Sequence, residues 1–294
     1  MIEDIRLAGL QASGQDEAGE RFHAYSDEVF WFRESRTSDL RETFYRPALC
    51  MILQGAKQTI IDEKVLHIAA GDAVIISHHV PVQARITRAS PDEPYLALIV
   101  KIDTGIMRDL AEKIDRLEDT SAAACCVASH EADLPLVEAV GRLLTVLRDP
   151  LEAEVMGEAA YREVHLRMLQ ATHGAMLRRM ASGGDVANGV ARAIQFMREN
   201  YAEDLSVPEV CRQARMSESS FYTKFRDVTG TTPSRYLKSL RLQEAHGLLS
   251  LRGHSVSDAA FAVGYESVSH FSRDYKQAFG VSPKEAKSTA TTRA

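Results

Sequence analysis

The stretch Ser206-Val207-Pro208-Glu209, followed by Phe221, Phe225, Gly230 and Pro233, returns later in the chain as Ser255-Val256-Ser257-Asp258, followed by Phe271, Tyr275, Gly280 and Pro283. The offset is 49 residues at the start and 50 after one inserted residue, so one supersecondary unit is used twice. Each copy begins with a hydroxyl residue and an acid three positions on, Ser206 with Glu209 and Ser255 with Asp258, the pattern of a capping box. Each then runs about two helical turns and breaks, at Arg215-Met216-Ser217 or at Gly264-Tyr265-Glu266. A second helix follows, with an aromatic pair at i, i+4 (Phe221/Phe225 and Phe271/Tyr275) on its buried face. The pattern is helix, short turn, helix, twice over.

Between the copies, Thr232-Pro233 caps and opens a helix that carries Arg235, Leu237, Leu240, Leu242, Ala245 and Leu248 to Leu249. About 17 residues at ~1.5 Å each make a rod of roughly 25 Å. Such a rod suits two recognition helices spaced about one turn of DNA apart, ~34 Å, entering successive major grooves. The polar faces of the second helices fit that task. Ser219, Tyr222, Thr223 and Lys224 in one copy and Ser269, Ser272, Arg273 and Lys276 in the other offer hydrogen bonds and positive charge to base edges and phosphates. Arg273 stands out, since a guanidinium can donate two bonds to guanine in a geometry that serine cannot copy. The bland alternative for these residues is a solvated helix face, and the four aromatics read as core, not as stacking platforms.

Charge agrees with this division. The chain of 294 residues carries a net −6, yet Asp185 to Ala294 holds 15 Lys and Arg against 12 Asp and Glu, leaving 20 against 29 for the first 184 residues. A polyanion is expected to meet the C-terminal part. The length favours two domains, placed at 1–184 and 185–294 with Ser182-Gly183-Gly184-Asp185 as the linker. A composition 45% hydrophobic and 26% charged excludes collagen-like and wholly disordered material. No apolar run approaches a membrane span, and Met1 to Leu10 lacks the form of a signal sequence, so a cytoplasmic protein is expected. Four cysteines, with Cys125 and Cys126 adjacent, give no metal, redox or disulfide spacing.

The first part changes character along its length. From Val29 to about Asp103 come short β-branched and aromatic runs: Leu49–Leu53 before Gly55, Gln58–Ile61, Ala73–Ile76 after Gly71-Asp72, Val82–Ile86 and Tyr95–Val100. These read as an all-β barrel or sandwich. Leu136, Val137, Val140, Leu143, Leu144 and Leu147 then mark one face of a helix that Asp149-Pro150 ends, and a second long helix is expected from Val155 to about Met180. This helical pair can support the barrel, pair with a second copy of the chain, or do both. The fold class expected is therefore α+β, a β-rich domain with a helical segment followed by an all-α one.

The C-terminal stretch from about Val190 to Lys287 resembles the double helix-turn-helix domain of the AraC/XylS family of bacterial transcriptional regulators. The resemblance rests on Met216 to Phe221, Phe225 with Thr229-Gly230, Arg241 to Ala245 with Leu248-Leu249, Val263 to Ser267, and Phe271-Ser272-Arg273 through Phe279 to Pro283. Two positions depart from it. Arg215 stands where a glycine is common, at a cost of ~1–2 kcal/mol if the residue is left-handed, and Gly247 weakens an exposed helix by ~1 kcal/mol. Pro47 to Gly55, Gly71-Asp72 and Ser90 to Leu98 are similar to the cupin-type sensor domain of one AraC subfamily.

The resemblance implies a barrel that senses a small molecule, helices that form a homodimer, and a C-terminal domain that reads promoter DNA and works with RNA polymerase. No catalytic residue and no cofactor are expected. Trp31, Tyr45, Cys50, Gln54 and His78 are the candidate ligand residues, with Phe32 as a further lining residue. Parity puts Cys50, Ile52 and Gln54 on one strand face and Leu49, Met51 and Leu53 on the other, without deciding which faces inward. Cys50 is a candidate sensor of a small electrophile such as a reactive aldehyde, with Gln54 beside it and with Arg46 or His78 as the activating neighbour. A cysteine in a strand is also commonly a small buried hydrophobe. His78-His79 suggests a metal, but adjacent strand residues point to opposite faces and no His-x-His precedes them. A metal-dependent cupin enzyme fused to a DNA-binding domain and a ligand-independent dimeric regulator are the alternatives.

Overall fold

The computed structural model describes residues 1–13, 21–61, 64–115, 127–172, 174–181, 185–250 and 254–292. Cys125 and Cys126 and the Ser182-Gly183-Gly184 linker lie outside the described residues. Twelve described helices and ten described strands follow one another as α1 (Ile2–Ala12), β1 (Arg21–Ala24), β2 (Val29–Glu34), β3 (Arg41–Tyr45), β4 (Ala48–Gln54), β5 (Ala56–Ile61), β6 (Lys64–Ala69), β7 (Asp72–Ile76), β8 (Val80–Arg88), β9 (Tyr95–Lys101), α2 (Thr104–Asp115), β10 (Val127–Glu131), α3 (Leu134–Val146), α4 (Pro150–Gln170), α5 (Gly174–Ala181), α6 (Asp185–Glu199), α7 (Val207–Ala214), α8 (Glu218–Thr229), α9 (Pro233–Ser250), α10 (Val256–Ala262), α11 (Val268–Phe279) and α12 (Pro283–Thr292). The chain is mixed helix and sheet. It divides into two compact units: Met1–Asp39, Arg46–His78 and Arg85–Gly184 form one, and Asp185–Ala294 forms the other together with Leu40–Tyr45 and His79–Ala84.

In the first unit a six-stranded antiparallel sheet runs in the order β1-β2-β9-β4-β7-β10. Its central strands β4, β7 and β9 are buried on both faces, which is why Leu49 to Leu53 reads as a continuous apolar run and not as an alternation. One face, with Val29, Trp31, Leu49, Met51, Leu53, Ile75, Leu98 and Val100, packs against apolar residues of α1 to α5. Leu136, Val140, Leu143 and Leu144 of α3 and Val164, Met168 and Leu169 of α4 supply the cover. The expected single helix from Val155 to Met180 is two. Thr172 gives its N–H to the Asp133 carboxylate (3.2 Å), and a Cβ on Gly174 would lie 2.0 Å from the Leu169 carbonyl oxygen, so the chain turns sharply there.

Gly71 takes φ 98° at the β6–β7 turn, as its place between two strands requires. Gly55, at φ 81°, does the same between β4 and β5, and there a Cβ would sit 2.5 Å from the Arg88 carbonyl oxygen.

In the second unit two apolar cores follow each other along the chain. Val190, Ile194, Met197, Val210, Phe221, Phe225, Tyr236 and Leu240 build the first. Leu242, Ala245, Leu249, Ala259, Val263, Phe271, Tyr275 and Phe279 build the second. The helix α9 enters both, its first half in one core and its second half in the other. At 18 residues it is about 27 Å long. The β3 strand pairs with β8 in this unit, and its Phe44 ring stands edge-on to Tyr236 with centroids 5.3 Å apart.

Candidate nucleic-acid interface and ligand face

The first helix-turn-helix is α7 and α8. Its turn passes through Arg215 at φ 56°, ψ 44°, the left-handed conformation where glycine is at ease. The turn is held from outside. Arg192 donates from Nε to the Gln213 carbonyl (3.2 Å) and from Nη2 to the Ala214 carbonyl (3.3 Å), satisfying oxygens that the end of α7 leaves open. The capping box expected at Ser206 does not form. Ser206 is the N-cap, but its side chain makes no cap bond; Pro208 has no N–H to offer, and the Glu209 N–H already meets the Ser206 carbonyl at 3.1 Å.

The second helix-turn-helix is α10 and α11. Here the box is complete: Ser255 Oγ accepts from the Asp258 N–H, and an Asp258 carboxylate oxygen accepts from the Ser255 N–H, both at 3.0 Å. Those bonds hold the Asp258 carboxyl below its usual range. The turn uses Gly264 at φ 83°, with a Cβ excluded by the Ala202 carbonyl oxygen at 2.4 Å. The Tyr275 hydroxyl meets His246 Nδ1, and His246 stacks on Phe279 at 4.8 Å, which ties α11 to α9. Burial pushes the Tyr275 phenol up beyond its ordinary value.

Phe221, Phe225, Phe271 and Tyr275 are fully buried and turn the opposite faces of α8 and α11 outward. Ser219, Tyr222, Thr223 and Lys224 are exposed, as are Ser269, Arg273 and Lys276, while Ser272 is half-buried. Ser219, Tyr222 and Thr223 share a helical stripe with Arg226, at i, i+3, i+4 and i+7. Lys224 falls one residue, about 100°, off that stripe. Arg226 is thus the residue that sequence reasoning missed; it lies 50 residues before Lys276, the same offset that aligns the other pairs. Asp274 turns inward by comparison, bridged to Lys238 Nζ (3.7 Å) and accepting from the Tyr265 hydroxyl (3.3 Å).

The candidate ligand residues do not come together. Trp31 lies on the helix-covered face of the six-stranded sheet, so close to α1 that a Cβ on Gly9 would be 2.6 Å from its ring. Gln54 leaves the Cys50 face because the register with β9 slips between Ile52 and Gln54; a bulge of this kind breaks strict parity. Gln54 accepts from Arg6 Nη1 (2.6 Å) and donates to the Pro94 carbonyl (2.9 Å). Tyr45, on β3, belongs to the second unit. His78 Nδ1 meets Ser77 Oγ at 2.8 Å, its Nε2 has no hydrogen-bond partner, and burial pushes the imidazole down to about 4.

Cys50 shares its face with Ala48, Ile52, Val74, Ile76, Ala97, Ile99, Phe30 and Phe32, as the strand registers require. Arg46 and His78 were the expected neighbours for its thiol; the structure places Lys57 of β5 there, with Nζ 3.9 Å from Cys50 Sγ. The spacing of seven residues across a glycine turn into another strand gave no sign of this pairing. Among the described residues no group of three His, Cys, Asp or Glu is placed to hold a metal ion.

Two helix-turn-helix units joined by one helix, each presenting a polar stripe over an aromatic core, define a DNA-binding protein of the double helix-turn-helix class. Residues 210–289 match the model of a helix-turn-helix domain, and residues 26–176 match that of the AraC-type transcriptional regulator N-terminus. The chain belongs to the AraC-type family of transcriptional regulators. Among its relatives is the HTH-type transcriptional activator RhaS of Yersinia pestis (strain Pestoides F), 30% identical over 107 residues, which are 36% of this chain and 39% of that protein. The raffinose operon regulatory protein RafR of Pediococcus pentosaceus is 34% identical over 91 residues, 31% of this chain and 33% of RafR. The match thus spans about two fifths or less of these relatives' length. Among solved structures, an apo form of ToxT from Vibrio cholerae strain SCE256 shares the fold at TM-score 0.62 and 13% identity, over 92% of this chain and 98% of ToxT. ToxT from the same strain with an unsaturated fatty acid bound aligns at TM-score 0.51 and 12% identity, over 93% of this chain and 96% of ToxT.

Proposed function

We propose that this protein is a cytoplasmic, ligand-controlled regulator that binds promoter DNA with α8 and α11 and acts on RNA polymerase there, with no enzymatic activity of its own. The working division is sensing and dimerisation in residues 1–184 and DNA binding in 185–294. The observation that carries the reading is the repeated polar stripe, exposed but for the half-buried Ser272: Ser219, Tyr222, Thr223 and Arg226 on one helix, Ser269, Ser272, Arg273 and Lys276 on the other, each backed by buried aromatics. Lys224 is assigned to the phosphates flanking the first groove. The test is selection of duplexes from a random pool by the full chain, followed by binding of Tyr222→Ala, Arg273→Ala and the double variant. Selection of one motif with two half-sites about 10 base pairs apart supports the reading; unchanged affinity in the double variant overturns it.

The dimer contact proposed here moves away from Leu143 and Leu144, which are buried under the sheet. Leu151, Val155 and Met156 on α4 and Leu134 on α3 are exposed large apolar residues of this segment, at 73%, 68%, 50% and 62%. A second reading for the effector is a reactive aldehyde captured by Cys50, whose thiol has the Lys57 ammonium beside it at 3.9 Å.

A further inference from the structure

The turns of the two helix-turn-helix units are built alike and filled differently. Arg215 and Gly264 stand 49 residues apart, the offset of the repeat at this point, and both are left-handed, at φ 56° and φ 83°. The end of α7 demands that conformation. Arg215 gives its N–H to the Arg212 carbonyl (3.1 Å) and Met216 to the Cys211 carbonyl (3.2 Å), the paired bonds of a Schellman motif, whose closing residue is ordinarily glycine. Gly264 and Tyr265 make the matching pair to the Phe261 and Ala260 carbonyls, both at 3.0 Å. Gly264 has no room for a side chain, since the Ala202 carbonyl oxygen would lie 2.4 Å from its Cβ. Arg215 is exposed, and it is the one non-glycine residue at positive φ among the described residues. Glycine would make the same turn without crowding a Cβ against a carbonyl oxygen. Nothing within the unit offsets that strain, because no hydrogen bond or ion pair joins the Arg215 guanidinium to another described residue.

Two more cations share this corner. Arg212 is exposed on the last turn of α7, and the exposed Arg192 reaches the turn from α6 through its bonds to the Gln213 and Ala214 carbonyls. Glu218 is the one acid from Val210 to Phe225, and the matching positions of the second unit, Phe261 and Gly264, carry no charge. In a docked helix-turn-helix the recognition helix puts its N-terminal residues on base edges while the helix before it crosses the backbone. The turn between them then runs along the rim of the groove, beside the phosphates. We propose that Arg215 is a DNA-phosphate contact, the centre of a three-arginine corner that grips the backbone next to α8 and has no counterpart in the second unit. This rests on the reading of α8 as a recognition helix. A guanidinium presents two N–H groups to one phosphate, and such a contact adds affinity without reading sequence. Strain kept at one position for the sake of binding is the pattern of a functional site.

The experiment uses the full chain as wild type, Arg215→Gly and Arg215→Lys. Urea denaturation is measured for each, together with affinity for the selected duplex and for an unrelated duplex of equal length, across about 50 to 200 mM salt. Arg215→Gly should unfold at a higher urea concentration than the wild type, yet bind both duplexes about 5-fold more weakly at the low-salt end, with the slope of log affinity against log salt smaller by about 1. Arg215→Lys, which keeps both the charge and the strain, should keep the slope. Unchanged affinity and slope in Arg215→Gly would overturn the proposal. So would a loss confined to the selected duplex, which would make Arg215 a reader of bases, or an equal fall in slope for Arg215→Lys. Weaker binding by an Arg215→Gly protein that also unfolds at lower urea would trace the effect to a damaged turn and overturn it too. If the wild type selects no duplex, the regulator reading falls and this contact with it; a wild type that selects one, matched by Arg215→Gly, removes this contact alone.

Discussion

The two helix-turn-helix units reach the same shape by different means. The second is satisfied locally: Ser255 and Asp258 close its first helix end, Gly264 takes its turn without strain, and His246 fixes its recognition helix to α9. The first leans on its neighbours. Its opening serine makes no side-chain cap, its turn forces Arg215 into a left-handed conformation, and Arg192 from α6 must satisfy the end of α7. One motif can be specified by short-range residues in one copy and by a supporting helix in the other, so the first unit should loosen more readily under stress.

The largest expected effect tests whether the two cores are independent. Phe271→Ala should destabilise the second unit by about 3–5 kcal/mol, seen as faster amide exchange throughout α10 and α11. Exchange in α8 should stay near the wild-type rate, because Phe221 and Phe225 lie in the other core. Equal acceleration in both recognition helices would show that α9 couples them into one cooperative unit.

Next come the DNA contacts. Arg273→Ala should weaken binding to the selected duplex by about 1–3 kcal/mol and relax the choice of one guanine. Tyr222→Ala should cost less and act at the other half-site, and Arg226→Ala should lower affinity and the salt slope without changing the preferred sequence. A larger loss for Tyr222→Ala than for Arg273→Ala would reverse the ranking of the two units.

The caps give a smaller and more pointed contrast. Ser255→Ala should cost about 1 kcal/mol, and Ser206→Ala close to nothing, as read from urea denaturation of each variant. Protonation adds a sign. Because the folded Asp258 carboxyl titrates below its unfolded value of about 3.9, its contribution is fully present above that pH and is lost as pH falls through the lower folded value. Acid should therefore release the start of α10 before it affects that of α7, and amide exchange measured from pH 5 down to pH 2 checks the order. The smallest effects are gains. Arg215→Gly should stabilise the first unit by up to about 1 kcal/mol by removing left-handed strain, and Gly247→Ala, with open space around the site, should add about 0.5–1 kcal/mol to α9.

Much of this molecule is legible in its residues. The repeat set out both helix-turn-helix units and the helix between them, because capping, turn and aromatic signals all act within a few residues. Strand positions from Val29 to Val100 were legible for the same reason. The ligand face was not. Parity put Gln54 beside Cys50, and a one-residue slip against β9, invisible in β4 itself, turned it toward Arg6 instead. Lys57 went unnoticed because its meaning lies in a contact between strands on either side of Gly55. The residues of α3 left open whether its leucines support the barrel or pair with a second copy; in the structure Leu136, Leu143 and Leu144 cover the sheet face of Leu49, Met51 and Leu53.

The uninterrupted α9 helix also works as a gear between two screws. Each residue added to it would turn the second unit by about 100° and move it ~1.5 Å, while the DNA groove advances on a period of ~34 Å. Short insertions bring the two out of phase; an insertion near 22 residues, roughly six helical turns and ~33 Å, is among the first to approach both periods together. On the proposed reading, the separation of the half-sites in the target DNA is thereby locked to the length of one helix, and a lineage descended from this chain would change the letters that it reads far more easily than the distance between them.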